Sequence, residues 1–213
     1  HYNLRDWLII RQRYWGAPIP IIYDPDANPH AIKVEALPWL LPTDVDYQPK
    51  GHAPLESSQE LQARTEAYAR THHADLIAQK GWDVTGKGWR PEFDTMDTFV
   101  DSSWYYLRYG DARNETEFAS RRQLERWQPV DFYMIGPEHI VLHLLYSRFF
   151  TKFLRDEGYL SFDEPFLKMR HQGMILGPDS RKMSKSKGNV ISPDEIIDKF
   201  GADTLRVYEM FMG

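Results

Sequence analysis

The 213 residues carry a net charge of −5, with 42% hydrophobic and 27% charged side chains and no cysteine. These figures place the chain among globular proteins and exclude disulfides and Cys-ligated zinc or iron–sulfur sites. The negative balance argues against a uniformly basic nucleic-acid surface while leaving room for a local basic patch. No apolar run approaches the ~20 residues of a membrane helix, and the N-terminus lacks the basic-then-apolar pattern of a signal peptide. A cytoplasmic location without membrane contact is expected.

Residues 1–23 combine Trp7-Leu8-Ile9-Ile10, the run Arg11-Gln12-Arg13-Tyr14-Trp15-Gly16 and a strand-like Pro18-Ile19-Pro20-Ile21-Ile22-Tyr23. Loops with short strands are expected over 24–55, where Pro, Asp and Gly are frequent. Ser57 followed by Glu60 is a capping-box pattern, predicting one polar helix from about 58 to Lys80, stopped by Gly81. On that helix His72, His73 and Asp75 read as a solvated face. Gly81 to Arg90 reads as a loop, so 24–92 has the character of an inserted subdomain.

From Phe93 the chain changes. Asp97 to Tyr109 is dense in aromatics and predicts entry into a helix, with Trp104 and Leu107 as core. A short strand is expected at Val130–Ile135, broken by Gly136-Pro137. A helix over roughly 138–156 follows, with Val141, Leu144, Leu145, Phe149 and Phe153 forming its apolar stripe. Residues 166–169 and 174–176 read as strand regions. Ser192-Pro193-Asp194-Glu195 combines a capping box with Pro at the first helical position. Gly201 closes that helix, and Asp203 is the expected cap of the last. Strand, helix, strand, loop, helix is the order of half a doubly wound parallel sheet. In such sheets ligands bind beyond the C-terminal strand ends, where Gly136 and Gln172-Gly173 fall.

The sharpest feature is Arg181-Lys182-Met183-Ser184-Lys185-Ser186-Lys187-Gly188-Asn189, with four cations inside seven residues. The bland alternative is a solvated basic loop. The functional one is a mobile clamp on a polyphosphate, and it is no Walker loop, since G-x-x-x-x-G-K-[ST] is absent. Lys182-Met183-Ser184-Lys185-Ser186 is identical to the KMSKS signature of class I aminoacyl-tRNA synthetases. The run on through Val190, and Gly201-Ala202-Asp203-Thr204-Leu205-Arg206, also resemble that family. The resemblance covers most of 1–22 and 93–213. It implies the second half of a Rossmann-like α/β catalytic domain (1–23 and 93–190) carrying an inserted small subdomain (24–92). It also implies a C-terminal helical segment (191–213) leading toward a tRNA-binding domain.

Gly136-Pro137-Glu138-His139-Ile140-Val141-Leu142-His143-Leu144-Leu145-Tyr146 is similar to the corresponding segment of the leucyl branch, whereas the isoleucyl and valyl branches differ there. The resemblance implies a leucine–tRNA ligase: leucine is activated to leucyl-adenylate with ATP and Mg²⁺, then passed to tRNA(Leu). Cations aimed at the departing pyrophosphate stabilise the transition state more than the ground state, so Lys185 first and Lys182 second are the expected catalytic groups. For ATP it implies Gly136, Glu138, Gln172, Gly173 and Met174 together with Lys182, Met183, Ser184, Lys185 and Ser186. For leucine it implies Ser102, Tyr105, Tyr133, His139 and His143. Two His at i, i+4 are also a zinc-helix geometry, but here the Glu precedes the first His and no third ligand is apparent, so no metal site is expected. Arg5-Asp6-Trp7 and the Arg11 run resemble re-entry into the catalytic domain. Arg11 and Arg13 are either contacts of the tRNA acceptor end or the domain hinge, or members of structural ion pairs.

The chain departs from the family in lacking a His-x-Gly-His, an editing domain and an anticodon-binding bundle. The zinc ribbon that many relatives hold in the region of 55–92 has no Cys here, so no zinc is expected. The chain reads as an excerpt, a split subunit or an incomplete gene product, and half the ATP site would come from a missing N-terminal half. Inactivity of the isolated chain is therefore expected. The alternatives are another aliphatic class I synthetase, or a non-catalytic ATP- or RNA-binding remnant of the fold.

Overall fold

The computed structural model describes residues 8–48 and 51–212; the expectations for Arg5, Asp6 and Trp7 lie outside them. The chain forms two compact units that divide between Ser102 and Ser103, ten residues beyond the end of the expected insertion at 92.

In the first unit β1 (Ile10–Arg11) pairs antiparallel with β5 (Thr95–Met96), Arg11 lying opposite Thr95. A second antiparallel sheet has the order β3-β2-β4, from β2 (Ile21–Tyr23), β3 (Pro29–Ala31) and β4 (Arg90–Pro91). Asp24 closes the β2–β3 turn. Its carboxylate accepts from the Asn28 amide at 2.9 Å, from the Asn28 side chain and from His30 Nε2 at 3.0 Å. Burial alone would raise the Asp24 carboxyl, but these hydrogen bonds outweigh it and hold its pKa down to about 2. A carboxylate favoured in the folded state stabilises above its unfolded value of ~3.9, and that stability is lost as pH falls toward its folded value. An acid titration followed by near-ultraviolet circular dichroism should show a loss between about pH 4 and 2 that Asp24→Asn abolishes. Superimposable titrations of the two proteins would count against this role.

The expected single helix is two, α1 (Gln59–His72) and α2 (Ala74–Lys80). The cap is Ser58, whose hydroxyl accepts from the Leu61 amide at 2.9 Å, and not Ser57, which donates to Pro54 O. His73 leaves helical geometry at φ −127° and breaks the run. It is no solvated residue: its ring stacks on Trp89 with centroids 4.9 Å apart, while His72 stacks on Tyr68 at 4.1 Å. Gly81 ends α2 in the left-handed conformation, φ +68°, which glycine adopts without steric cost. Ile22, Leu55, Leu61, Tyr68, Ile77 and Trp89 make the core of this unit. Asp97 caps α3 (Thr98–Asp101) by accepting from the Phe99 amide at 2.8 Å.

The second unit opens with α4 (Tyr105–Tyr109), so residues 102–104 interrupt the expected helix. After α5 (Arg121–Trp127), the strands β6 (Tyr133–Ile135) and β7 (Met169–His171) pair in parallel, with Ile135 opposite His171. Residues 174–176 form no strand; Leu176 makes a single antiparallel bridge to Lys182. Between β6 and β7 runs α6 (Leu142–Asp156), preceded by a 3-10 turn at Pro137–His139. Its buried side is not the expected stripe. Val141, Phe149 and Phe153 are exposed, and His143, Tyr146, Ser147, Thr151 and Leu154 face inward. Positions 143, 147 and 151 lie one helical turn apart on one face, where each polar group finds a partner. Tyr106, Leu107, Leu124, Leu154 and Leu160 form this unit's core, with Trp104 packed against it. At the C-terminus Ser192 caps α7 (Pro193–Phe200), and α8 (Ala202–Met212) follows with Asp203 inside its first turn rather than capping it. Among the described residues no helix is long and apolar enough to cross a membrane.

Candidate active site

The register of β6 and β7 explains why two separated segments meet. Gly136 to Glu138 leaves the C-terminal end of β6, and Gln172 to Met174 leaves the end of β7 beside it. Gly136 has an ordinary φ of −64°, and a Cβ there would lie 3.1 Å from the flexible tip of Glu138, Oε2. Gln172, Gly173 and Met174 are all exposed at this edge.

The lysine loop reaches the same edge. Lys182 Nζ donates to Glu138 Oε1 at 2.8 Å across 44 residues of sequence. That hydrogen bond, more than its charge alone, holds the Glu138 carboxyl below the usual carboxylate range. Both side chains are about half exposed, 57% and 48%, and solvent screening leaves a pair this open little net stabilisation. A polyanion can therefore displace it at little cost. Lys185 to Lys187 form a 3-10 turn ended by Gly188 at φ +64°, and Ser184 and Ser186 pair through their hydroxyls at 2.8 Å. Among the described residues the Lys185 ammonium makes no ion pair.

A second cluster lies in the same unit. Tyr105 and Tyr133 hydroxyls are 2.6 Å apart, and Tyr133 Oη lies 2.7 Å from His143 Nε2. Burial, then the contact with Tyr105, pushes the Tyr133 phenol well above its usual range. Burial, then the nearby His139, pushes the His143 imidazole down. Tyr133 thus keeps its proton and His143 stays neutral near pH 7. The chain is satisfied when Tyr105 donates to Tyr133 and Tyr133 donates to His143, which leaves the imidazole proton on Nδ1. Phe166 stacks on Tyr133 at 3.8 Å. Tyr105 and Tyr133 also line a cleft of about 450 Å³ with Tyr106, Tyr109, Trp127 and Gln128. His139 is exposed, with its ring edge-on to His143 at 6.4 Å.

The remaining candidates belong to the first unit. Ser102 follows α3 and donates to Phe99 O at 3.3 Å. Arg11 Nε donates to Asp97 Oδ2 at 2.5 Å, and Asp97 is 3% exposed. Arg13 is exposed, and its carbonyl accepts from Thr95. Among the described residues no group of three or more His, Cys, Asp or Glu is placed to hold a metal ion. Sequence reasoning passed over Phe166, Trp127 and the pair Asp179 and Asn189, which shapes the loop. For Asn189 the only local signal was its place at the end of the basic run.

The family model described as tRNA synthetases class I (I, L, M and V) matches residues 2–212. The leucine–tRNA ligase of Clostridium kluyveri is 49% identical over 211 residues, and that of Clostridium tetani 50%. Each alignment covers 99% of this chain and 24% of the relative, so the chain spans about a quarter of their length. Among solved structures, a ternary complex of Agrobacterium radiobacter K84 agnB2 LeuRS with tRNA and LeuAMS matches with a TM-score of 0.81. Its identity is 40%, and the match covers 100% of this chain and 25% of that one. On the extent of the family match and the identity of these relatives, this chain belongs to the class I tRNA synthetases, the family of the isoleucine, leucine, methionine and valine enzymes.

Proposed function

We propose that this chain carries the lysine loop and leucine-side wall of a leucine–tRNA ligase, which joins leucine to ATP as leucyl-adenylate and transfers it to the 3′ end of tRNA(Leu). The observation that carries the reading is the 2.8 Å contact of Lys182 with Glu138, which brings the loop to the edge where β6 and β7 end. Relatives near half identity named leucine–tRNA ligase support it, as does the likeness to a LeuRS bound to tRNA and LeuAMS. In domain terms, 1–23 and 93–190 are half of a Rossmann-like catalytic domain, 24–92 an insertion, and 191–213 a helical lead toward a tRNA-binding domain. Since the chain spans 24% of its relatives, the rest of the ATP site belongs to segments outside it, and the 213 residues alone are expected to be inactive.

In this reading Glu138 accepts from ribose hydroxyls, Gly136 leaves room for that approach, and Gln172, Gly173 and Met174 border the adenine. Met183, Ser184 and Ser186 shape the loop around the phosphates, Lys182 exchanges Glu138 for a phosphate oxygen, and Lys185 neutralises the charge that grows on the leaving pyrophosphate. Mg²⁺ would enter on the phosphates with its own waters. Within the second unit the Tyr105–Tyr133–His143 chain, with His139, forms the leucine side, and exposed Arg13 is offered to the acceptor end of tRNA.

An apolar pocket separates leucine from its close analogues by only about 10- to 200-fold. In amino-acid-dependent ATP–pyrophosphate exchange by the protein as the cell makes it, leucine should therefore exceed isoleucine, valine and methionine by about that factor. Preference for another of the four, or no exchange at all, would refute the reading.

A further inference from the structure

We propose that Asn189 is a positioning residue, a side-chain clip that fixes the shape of the lysine loop so that Lys182 and Lys185 reach the phosphates together. The proposal rests on the loop acting in adenylate formation, as argued above. Asn189 Oδ1 accepts from the Ser184 amide at 2.8 Å. Its Nδ2 donates to both Asp179 carboxylate oxygens, at 3.1 and 3.2 Å, and to the Lys182 carbonyl at 3.3 Å. A backbone N–H must meet an oxygen, and a carboxylate must meet an N–H. The Asn189 primary amide satisfies both ends at once, and the chemistry sets which way it points.

The clip grips the chain on either side of Met183, through the Lys182 carbonyl and the Ser184 amide. Met183 itself borders an apolar groove of about 280 Å³ with Ile175, Leu176, Ile191, Ile196 and Tyr208. On the other strand of the loop Asp179 also accepts from the Arg181 amide at 3.2 Å, and the Gly177 amide donates to Arg181 O at 2.8 Å. Gly177 is buried in this knot: a Cβ there would lie 3.0 Å from Asn189 O and 3.1 Å from Asp179 Oδ1. Residues 176–182 are thus a closed hairpin tied to Asn189. The 3-10 turn bearing Lys185 sits between the tie points, and Lys182 leaves the hairpin aimed at Glu138.

A misplacement of about 1 Å in a group positioned for reaction costs on the order of 100-fold. In the protein as the cell makes it, Asn189→Ala should lower kcat for leucine-dependent exchange by about that factor. Single-turnover transfer of leucine from the bound adenylate to tRNA has no departing pyrophosphate and should change less than about twofold. Asn189→Asp should be at least as damaging, because it sets a second carboxylate against Asp179. The double variant Asp179→Asn with Asn189→Asp restores the donor between these two side chains but not the one to the Lys182 carbonyl, and should recover part of the exchange lost in Asn189→Asp. Independently of activity, hydrogen exchange at the Ser184 amide should quicken about tenfold in Asn189→Ala, the loss of roughly one hydrogen bond. Exchange and transfer falling together would mark general damage and overturn the proposal, as would an unchanged kcat, failure of the swapped pair, or unaltered Ser184 protection. If the parent protein showed no leucine-dependent exchange, the functional reading would fall, and Ser184 protection would still decide the clip.

Discussion

Replacing Lys185 by Ala is expected to lower leucine-dependent pyrophosphate exchange by roughly 100- to 1000-fold, about 3–4 kcal/mol of transition-state stabilisation. The size follows from when the charge matters. Negative charge accumulates on the pyrophosphate only as its bond to the α-phosphorus breaks, so a cation held ready there acts on the transition state rather than on bound substrate. The loss should therefore fall on kcat, with KM for leucine little altered. Lys185 is suited to this because, among the described residues, its ammonium makes no ion pair. A reduction smaller than tenfold, or one confined to KM, would show that the loop does not act on the leaving group.

The largest stability effect is expected at Trp89, which is 1% exposed in the core of the first unit. Its indole meets His73 at 4.9 Å, His30 at 5.0 Å and Trp82 at 5.9 Å between ring centroids. Trp89→Ala should cost about 3–5 kcal/mol, the range for removing a large buried aromatic, out of a total that rarely exceeds ~15 kcal/mol. Among the described residues the indole Nε1 has no hydrogen-bond partner, so the loss is of packing and apolar burial, and Trp89→Phe should keep much of it. Urea unfolding of the two variants measures this directly. A midpoint for Trp89→Ala close to the parent's would mean that the insertion does not close around this ring.

The chemistry of the site was legible in the chain itself where it depends on neighbours in sequence. Four cations close together, small residues between them and a glycine after them define the lysine loop without reference to anything distant. Ser192 and Pro193 start α7 and Gly81 ends α2, as read from the sequence, because caps are hydrogen bonds and backbone conformations settled within a few residues. Membership of the class I synthetases followed from the same short stretches, and the match over 2–212 agrees with it.

Which face of an element is buried was decided elsewhere. The apolar spacing of α6 points to Val141, Phe149 and Phe153, yet His143, Ser147 and Thr151 are inside, because their partners are Tyr133 and Tyr106 on other elements. His73 looks solvated by its polar neighbours but is covered by Trp89, sixteen residues on. Periodicity records that a helix has two sides; burial is fixed by what packs against each side, and those contacts come from far along the chain. In the same way the residues of the loop name its charge, while the pairing of Ile135 with His171 and the bond from Lys182 to Glu138 supply the place where that charge is used. Sequence determined the groups and their local turns, and tertiary structure alone decided their meeting, because a distance across 44 residues is a property of the packed fold and not of any window of sequence.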